Sequence, residues 1–401
     1  MSLLQHAFSN STLGVYLHTR FDGGLFNVKR FRAKSKVSNL TVTDLLFADD
    51  AALVAHCAKD LQILLDRFAA SCAAFGLTIS VSKTVVMCQG AVEDQVAPIE
   101  VSVSNKKLEV VNEFCYLGSC ISSRASMEAD LDRRIARASI CFGQLRKRVW
   151  ENRKLRLKTK IAVYTSCVLS TLLYGSETWS VYAAQITRLN TFHLRNLRRI
   201  LGINWMDRVS NAEVLHRTQC DSMHTILTKR RLRWFGHLCR MPQNRLPKKV
   251  LFSEVSSGHR ARGRPLLRFQ DRIRDDLRHG GIREDGVEEH CAKRAEWRKR
   301  VYTRMQQQQK KRWRDKGMTQ RKRVTDLVMT QTLQALKLRN AAQLLFNALF
   351  TGQSESGTRF SLNPVTLNCL SVILKSFCVE TLLLATSKIY NENNPRTWKT
   401  I

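Results

Sequence analysis

The run Thr41–Ala55, TVTDLLFADDAALVA, constrains this chain more than any other, because it sets two acids, Asp49 and Asp50, side by side between apolar, β-prone segments. Strand-favouring residues on both sides of a polar pair fit a tight β-hairpin with the acids at its tip. Adjacent carboxylates repel one another unless a cation or hydrogen-bond donors compensate. Mg2+ is the simplest compensator: it takes oxygen ligands, keeps several waters, and commonly uses one or two protein carboxylates together with substrate phosphates. The plainer reading is an ordinary surface turn, since Asp solvates well and tolerates turn geometry.

The segments around this run follow a definite order. Gly14–Lys36 reads as two strands joined at Asp22-Gly23-Gly24, where glycines suit the positive φ angles of a tight turn. After the acids, Leu61, Leu64, Leu65, Phe68, Cys72 and Phe75 recur at helical spacing, which predicts an amphipathic helix over Lys59–Phe75 with Gly76 just past its end. Leu77, Ile79 and Val81 then alternate with Thr78, Ser80 and Ser82 as in a half-buried strand, and Lys83 follows directly. Short strands are expected around Thr84–Met87 and Val101–Val103, ahead of the turn sequence Phe114–Ser119, FCYLGS.

Phe-Ala-Asp-Asp between two apolar strands resembles the catalytic hairpin of reverse transcriptases, in the form typical of non-LTR (LINE-like) retrotransposons. GLTISVSKT (Gly76–Thr84) resembles the next motif of the palm, and FCYLGS resembles the turn of the primer grip, in the family's order. The resemblance ends near residue 316. It implies that Asp49 and Asp50 are catalytic carboxylates that bind Mg2+ or Mn2+, that Lys83 lies beside the incoming triphosphate, and that Tyr116 and Gly118 help seat the primer terminus. Lys83 is read equally well as an ordinary exposed lysine. Two-metal phosphoryl transfer needs a further acid from a separate strand; in this family it precedes the hairpin, with the fingers, and this chain starts beyond it. The implied protein is the C-terminal part of an RNA-directed DNA polymerase, expected to be inactive alone. The metal is expected only where a complete palm is present, with an upstream reverse transcriptase portion as a partner.

Lysine and arginine outnumber aspartate and glutamate 66 to 33, a formal charge of +33. In a chain with 44% hydrophobic residues this excess argues for a polyanionic partner rather than for disorder. RNA or DNA, bound largely without regard to sequence, leads over an anionic membrane. The basic residues fall on predicted helices. One begins at Ser126, with the apolar stripe Leu131, Ile135, Ala138, Phe142, Leu145 and Val149, and carries Arg133 and Arg137 on its other faces. Others are expected over Leu155–Leu173, ended by Gly175, and over Ala183–Leu201; by resemblance these form the thumb. The stretch Thr228–Met241, TKRRLRWFGHLCRM, interleaves Arg230, Arg231 and Arg233 with Trp234, a mixture suited to phosphate contacts and to stacking on unpaired bases. The competing reading makes Trp234 and Phe235 core residues of a helical domain. A second basic run, Gly258–Pro265, reads as a loop, Glu288–Arg323 as an exposed basic helix, and Thr325–Phe350 as a further helix.

Twelve cysteines are scattered without a CxxC, so neither a disulfide framework nor a zinc finger is indicated. His237 with Cys239, and His290 with Cys291, each lack a second pair to complete a tetrahedral site. The N-terminus has no basic stretch ahead of its apolar residues, and the apolar run Val365–Thr386 contains Lys375 and Glu380, which disfavour a membrane span. An intracellular protein of the cytoplasm or nucleus, without a membrane partner, is expected. The expected fold is α+β: an incomplete palm over 1–120, built as a small mixed β-sheet with a packed helix, then a helical thumb-like domain over 121–205, a helical basic extension over 206–316, and an unrelated or disordered tail over 317–401. Beside a polymerase fragment that retains nucleic-acid binding stand two alternatives: a transposon-derived nucleic-acid-binding protein with no catalytic role, and a degenerate reading frame.

Overall fold

The fold is α+β, with small sheets formed mostly by residues before 123 and helices after them. A computed structural model describes residues 2–9, 12–22, 24–33, 35–89, 100–256, 267–311, 314, 329–332 and 334. The basic loop at 258–265, the apolar run at 365–386 and nearly all of the predicted helix over 325–350 lie outside these described residues.

Helix α1 (Ser2–Phe8) precedes β1 (Val15–Thr19), the middle strand of an antiparallel sheet between β2 (Ser38–Val42) and the late strand Ser253–Val255. The two-stranded reading of Gly14–Lys36 is therefore corrected. Strand β1 pairs with β2, from Val15↔Val42 to Thr19↔Ser38, and the chain between them makes a 3-10 turn at Val28–Arg32. Side-chain anchors hold this path, and Gly24 takes the positive φ, 76°, that its turn needs. Arg20 grips Asp22 at 2.5 Å, buried Arg30 donates to the Asp22 carbonyl at 3.0 Å, and Leu25 and Phe31 turn into the interior.

Strands β3 (Asp44–Phe47) and β4 (Asp50–Leu53) form the hairpin that the FADD run predicts, with Phe47↔Asp50 as the last pair and Ala48-Asp49 as the turn. Helix α2 (Ala58–Ala74) follows. Gly76, at φ 69°, closes it, with Gly76 N on Ala73 O at 3.0 Å and Leu77 N on Cys72 O at 2.8 Å. Beyond this cap Leu77–Ser82 is not a strand. Ser80 O accepts from Lys83 N and from Thr84 Oγ1, closing the 3-10 turn Val81–Lys83, and this local bonding replaces a ladder. Ile79 and Val81 still serve as apolar residues, packing with α2 on Val86, Val101, Val103 and Leu108.

Among the described residues there are five small sheets in place of a single mixed one. Strands β5 (Val85–Val86) and β8 (Glu109–Val110) are parallel, while β6 (Ser102–Val103) with β7 (Lys106–Lys107), and β9 (Glu113–Tyr116) with β10 (Ser119–Ser122), are hairpins. Leu117 (φ 49°) and Gly118 (φ 77°) make the last turn, both in the left-handed region that two-residue hairpin loops of this kind require.

Helix α3 (Glu128–Gln144) runs on through a π-helical turn to Trp150, whose indole stacks 4.8 Å from Phe142. Helix α4 (Leu157–Val163), a π-helical stretch (Tyr164–Leu169) and α5 (Ser170–Leu172) form one rod that ends near Gly175. Then come α6 (Ala183–Leu201), α7 (Asn211–Thr218), α8 (Met223–Arg240), α9 (Leu246–Leu251), α10 (Phe269–Gly280), α11 (Val287–Ala292) and α12 (294–311). Helix α12 is more than a solvated basic helix: Trp297, Val301 and Met305, four residues apart, are buried in a core shared with Leu232, Phe235, Ile273 and Leu277. Leu25 joins that same core, so residues from both ends of the segment 1–310 pack together in one unit. No helix among the described residues is long and apolar enough to cross a membrane.

Candidate functional site

The first candidate is the acidic hairpin tip. Asp49 and Asp50 are both exposed, and β3 also exposes Leu45, Leu46 and Phe47, the last by 61%. The FCYLGS hairpin lies against it: Tyr116 Oη donates to Leu45 O at 3.2 Å. Burial, and then the Asp50 charge beside it, push the Tyr116 phenol above its ordinary value. Burial likewise raises Asp44 at the far end of β3. Gly118 O accepts a 2.9 Å bond from Arg134 Nη2. Arg134 is held in turn by Asp130 at 2.9 Å, and Asp130 Oδ1 accepts from Cys120 N at 3.0 Å. This buried pair fastens the turn to α3; its neighbour Arg133 is exposed instead, 2.8 Å from Cys115 Sγ and 3.6 Å from Glu113. Arg137 is exposed on the same helix, and the side chain of exposed Lys83 makes no hydrogen bond or ion pair with the described residues.

These acids do not by themselves make a metal centre. Among the described residues no three His, Cys, Asp or Glu side chains cluster so as to hold an ion. Two exposed carboxylates without a third protein ligand fit only a Mg2+ whose remaining ligands are waters and substrate phosphates. The His/Cys pairs do not make a site either: Cys239 and Cys291 meet in the α8–α11 core, where that contact and burial hold the Cys291 thiol far above its ordinary value, while His237 and His290 are exposed.

The second candidate is a cleft of about 500 Å³ between α8 and α12. Its frame is the close approach of the two helices at Gly236, where a Cβ would overlap the Trp297 indole. Trp297 Nε1 donates to Leu232 O at 2.9 Å, which fixes α12 across α8. Arg230, Arg233, His237 and Arg240 then project from α8, and Arg294 and Arg298 from α12, with Glu177 as the acid of the lining. Arg230 is held back by Glu177 (3.2 Å) and Leu173 O (2.8 Å), and Arg240 by Cys291 O (2.8 Å). Arg233, Arg294 and Arg298 are exposed and have no carboxylate partner among the described residues. Five guanidinium groups and a single carboxylate make a concave cationic surface, which can take anionic oxygens.

One arginine of the run lies elsewhere than its sequence suggests, and its tryptophan is only partly open. Arg231 is fully buried and bonded to Asp276 in the core, so it presents no surface to a phosphate. Its phase gives the reason, since Arg231, Phe235 and Leu238 share the buried face of α8. Trp234 lines the cleft but is half-buried, packed against the core and 5.4 Å from the His237 ring. Arg294 and Arg298 escape a sequence reading because nothing in a generally basic helix distinguishes them; the buried Trp297 between them is the available signal.

No family model and no solved structure matches the chain. A protein of Caenorhabditis elegans named as an uncharacterized transposon-derived protein is 26% identical over 248 residues, which is 60% of this chain and 88% of that protein. That likeness supports a transposon-related origin for this chain.

Proposed function

We propose that this chain is a nucleic-acid-binding protein derived from the C-terminal part of a non-LTR retrotransposon reverse transcriptase, and that the α8–α12 cleft holds the sugar–phosphate backbone of RNA or DNA. One observation carries the reading: arginines from two helices converge on a concave surface in which Arg233, Arg294 and Arg298 lack carboxylate partners among the described residues. Phosphate contacts of this kind give affinity with little base readout. The triple variant Arg233→Gln, Arg294→Gln, Arg298→Gln keeps its fold, because all three side chains are exposed. Its affinity for a mixed-sequence DNA duplex falls, and the slope of log K against log salt flattens by up to about 0.9 for each arginine removed. Unchanged affinity at both low and moderate salt overturns the proposal.

A second reading concerns the acidic hairpin, and the Tyr116–Leu45 bond that sets the FCYLGS turn against it favours a palm ancestry. On that reading the partner is an upstream polymerase portion that brings a further acid, and Asp49 and Asp50 bind Mg2+ or Mn2+ only in its presence. The chain alone then gives no primer extension. Robust extension by the chain alone, abolished by Asp49→Ala, would contradict this.

A further inference from the structure

Helix α6 ends at Gly202, at φ 67°, with Ile203 N turned back onto Arg198 O at 3.0 Å. The next residues make a single 3-10 turn, Trp205–Asp207, closed by the Asp207 carboxylate on Asn204 N at 2.8 Å. Arg198 Nη2 then bonds both Val209 O at 3.2 Å and Asn211 Oδ1 at 2.6 Å, which stitches the exit of the turn to the last turn of α6. A turn held at three points would be expected to bury its large apolar residues. This one displays them: Trp205 is 87% exposed and Met206 is 68% exposed.

Beside the turn a groove of about 350 Å³ runs along α6 to Asn211 at the start of α7. Arg195 and Arg199, one helical turn apart on α6, line it; both are exposed and neither has a carboxylate partner among the described residues. Arg208, on the turn itself, is exposed as well. The nearby acids are engaged: Asp207 caps its own turn, and Glu213 bonds Arg217 at 2.8 Å. An uncovered indole on a pinned turn, beside a groove with unpaired guanidinium groups, is the combination that binds a single strand, where the ring takes a base and the cations take its phosphates. A partner with an apolar surface would desolvate these arginines without compensation.

We infer that the Trp205–Met206 turn and the Arg195/Arg199 groove form a nucleotide-binding site for unpaired RNA or DNA, with Trp205 stacking on a base and the two arginines holding the flanking phosphates. The site shares no residue with the α8–α12 cleft and extends the proposed binding function to a second class of target, single strands. Trp205 thereby takes the stacking role that the sequence suggests for Trp234.

The test compares full-length wild type with Trp205→Ala, Trp205→Phe and the pair Arg195→Gln, Arg199→Gln, titrated against fluorescein-labelled oligo(dT) and a mixed-sequence duplex. Thermal melting serves as the folding control. Trp205→Ala is expected to melt like wild type, to lose about 5- to 150-fold in oligo(dT) affinity, the worth of one base–aromatic stack, and to keep its duplex affinity within about twofold. Trp205→Phe retains most of the oligo(dT) binding, and the arginine pair lowers it with a flatter salt slope. Wild-type oligo(dT) affinity in Trp205→Ala overturns the inference, as does an equal loss on both targets. Loss of binding to phosphatidylserine vesicles with oligo(dT) binding intact also overturns it, in favour of a membrane contact. The cleft variants at Arg233, Arg294 and Arg298 are run alongside: intact duplex binding in them defeats the cleft, while a selective loss in Trp205→Ala still upholds this site.

Discussion

Arg231 and Asp276 face each other inside the helical core, both about 1% exposed, with Nε 2.5 Å from Oδ2 and Nη2 2.9 Å from Oδ1. Thr228 Oγ1 donates a third bond to the same carboxylate at 3.0 Å. The pair joins α8 to α10 and so supports the cleft from behind. Such a pair is specific more than stabilising, because desolvating two charges offsets their attraction; removing one partner leaves the other charge bare.

Asp276→Ala is therefore expected to lose about 3–5 kcal/mol in urea unfolding. The double variant Arg231→Met, Asp276→Leu should recover most of that loss, since it leaves no buried charge. A single variant as stable as wild type would mean that the pair is open to water.

Gly236→Ala is expected to destabilise the protein by about 1–3 kcal/mol, the range for overpacking a filled site. In an open helix the same change gains roughly 1 kcal/mol from propensity. The sign decides between the two, because the new methyl meets the Trp297 indole only if α12 crosses α8 at that point. A higher denaturation midpoint for Gly236→Ala would remove the frame of the cleft.

Local features of this fold were legible and distant ones were not. The FADD hairpin closes over two residues, and Ala183–Leu201 shows its period and its Gly202 cap within itself, so both could be read directly. The pairing of β1 with Ser253–Val255 leaves no local trace: Leu17 opposite Val255 depends on residues far along the chain. Leu77–Ser82 misled for the opposite reason, since its alternation is strand-like but no neighbour among the described residues offers it a ladder. At the cleft, Arg230, Arg231 and Arg233 look equivalent in composition, and helical phase separates them: Arg231 faces Asp276, Arg230 is held by Glu177, and Arg233 is open. Trp205 belongs to no periodic pattern, so its exposure came only from the three-dimensional path of the turn.

Trp234→Ala should lower the melting temperature and weaken duplex and single-strand binding by similar factors. Its ring is half-buried against the core, so the stability loss should be roughly half of the 3–5 kcal/mol typical of a fully buried aromatic. A selective loss of single-strand binding at unchanged stability would return the stacking role to Trp234.

His193 makes stability depend on pH in a definite direction. It is fully buried, with Nδ1 3.0 Å from the Tyr164 hydroxyl and Nε2 3.1 Å from Asp221 O. A carbonyl can only accept, so Nε2 carries the proton and Nδ1 accepts from Tyr164; the ring is thus satisfied in its neutral form. Burial pulls its pKa down from 6.5 to about 4. Above the unfolded value both states are neutral and the group contributes no pH dependence. As pH falls from 6.5 towards about 4 the unfolded chain takes up a proton that the native chain refuses, so stability falls, and below that window the loss levels off. The full loss is on the order of 3 kcal/mol. Denaturant unfolding of wild type and His193→Gln from about pH 7.5 to about pH 4 isolates this contribution from that of the carboxylates, which both proteins share. The variant should be less stable at the upper end, where its amide replaces a fitted ring, yet lose less stability on acidification. Parallel pH profiles for the two proteins would show that His193 takes up its proton equally in the folded and unfolded chains, and is not held neutral between Tyr164 and Asp221.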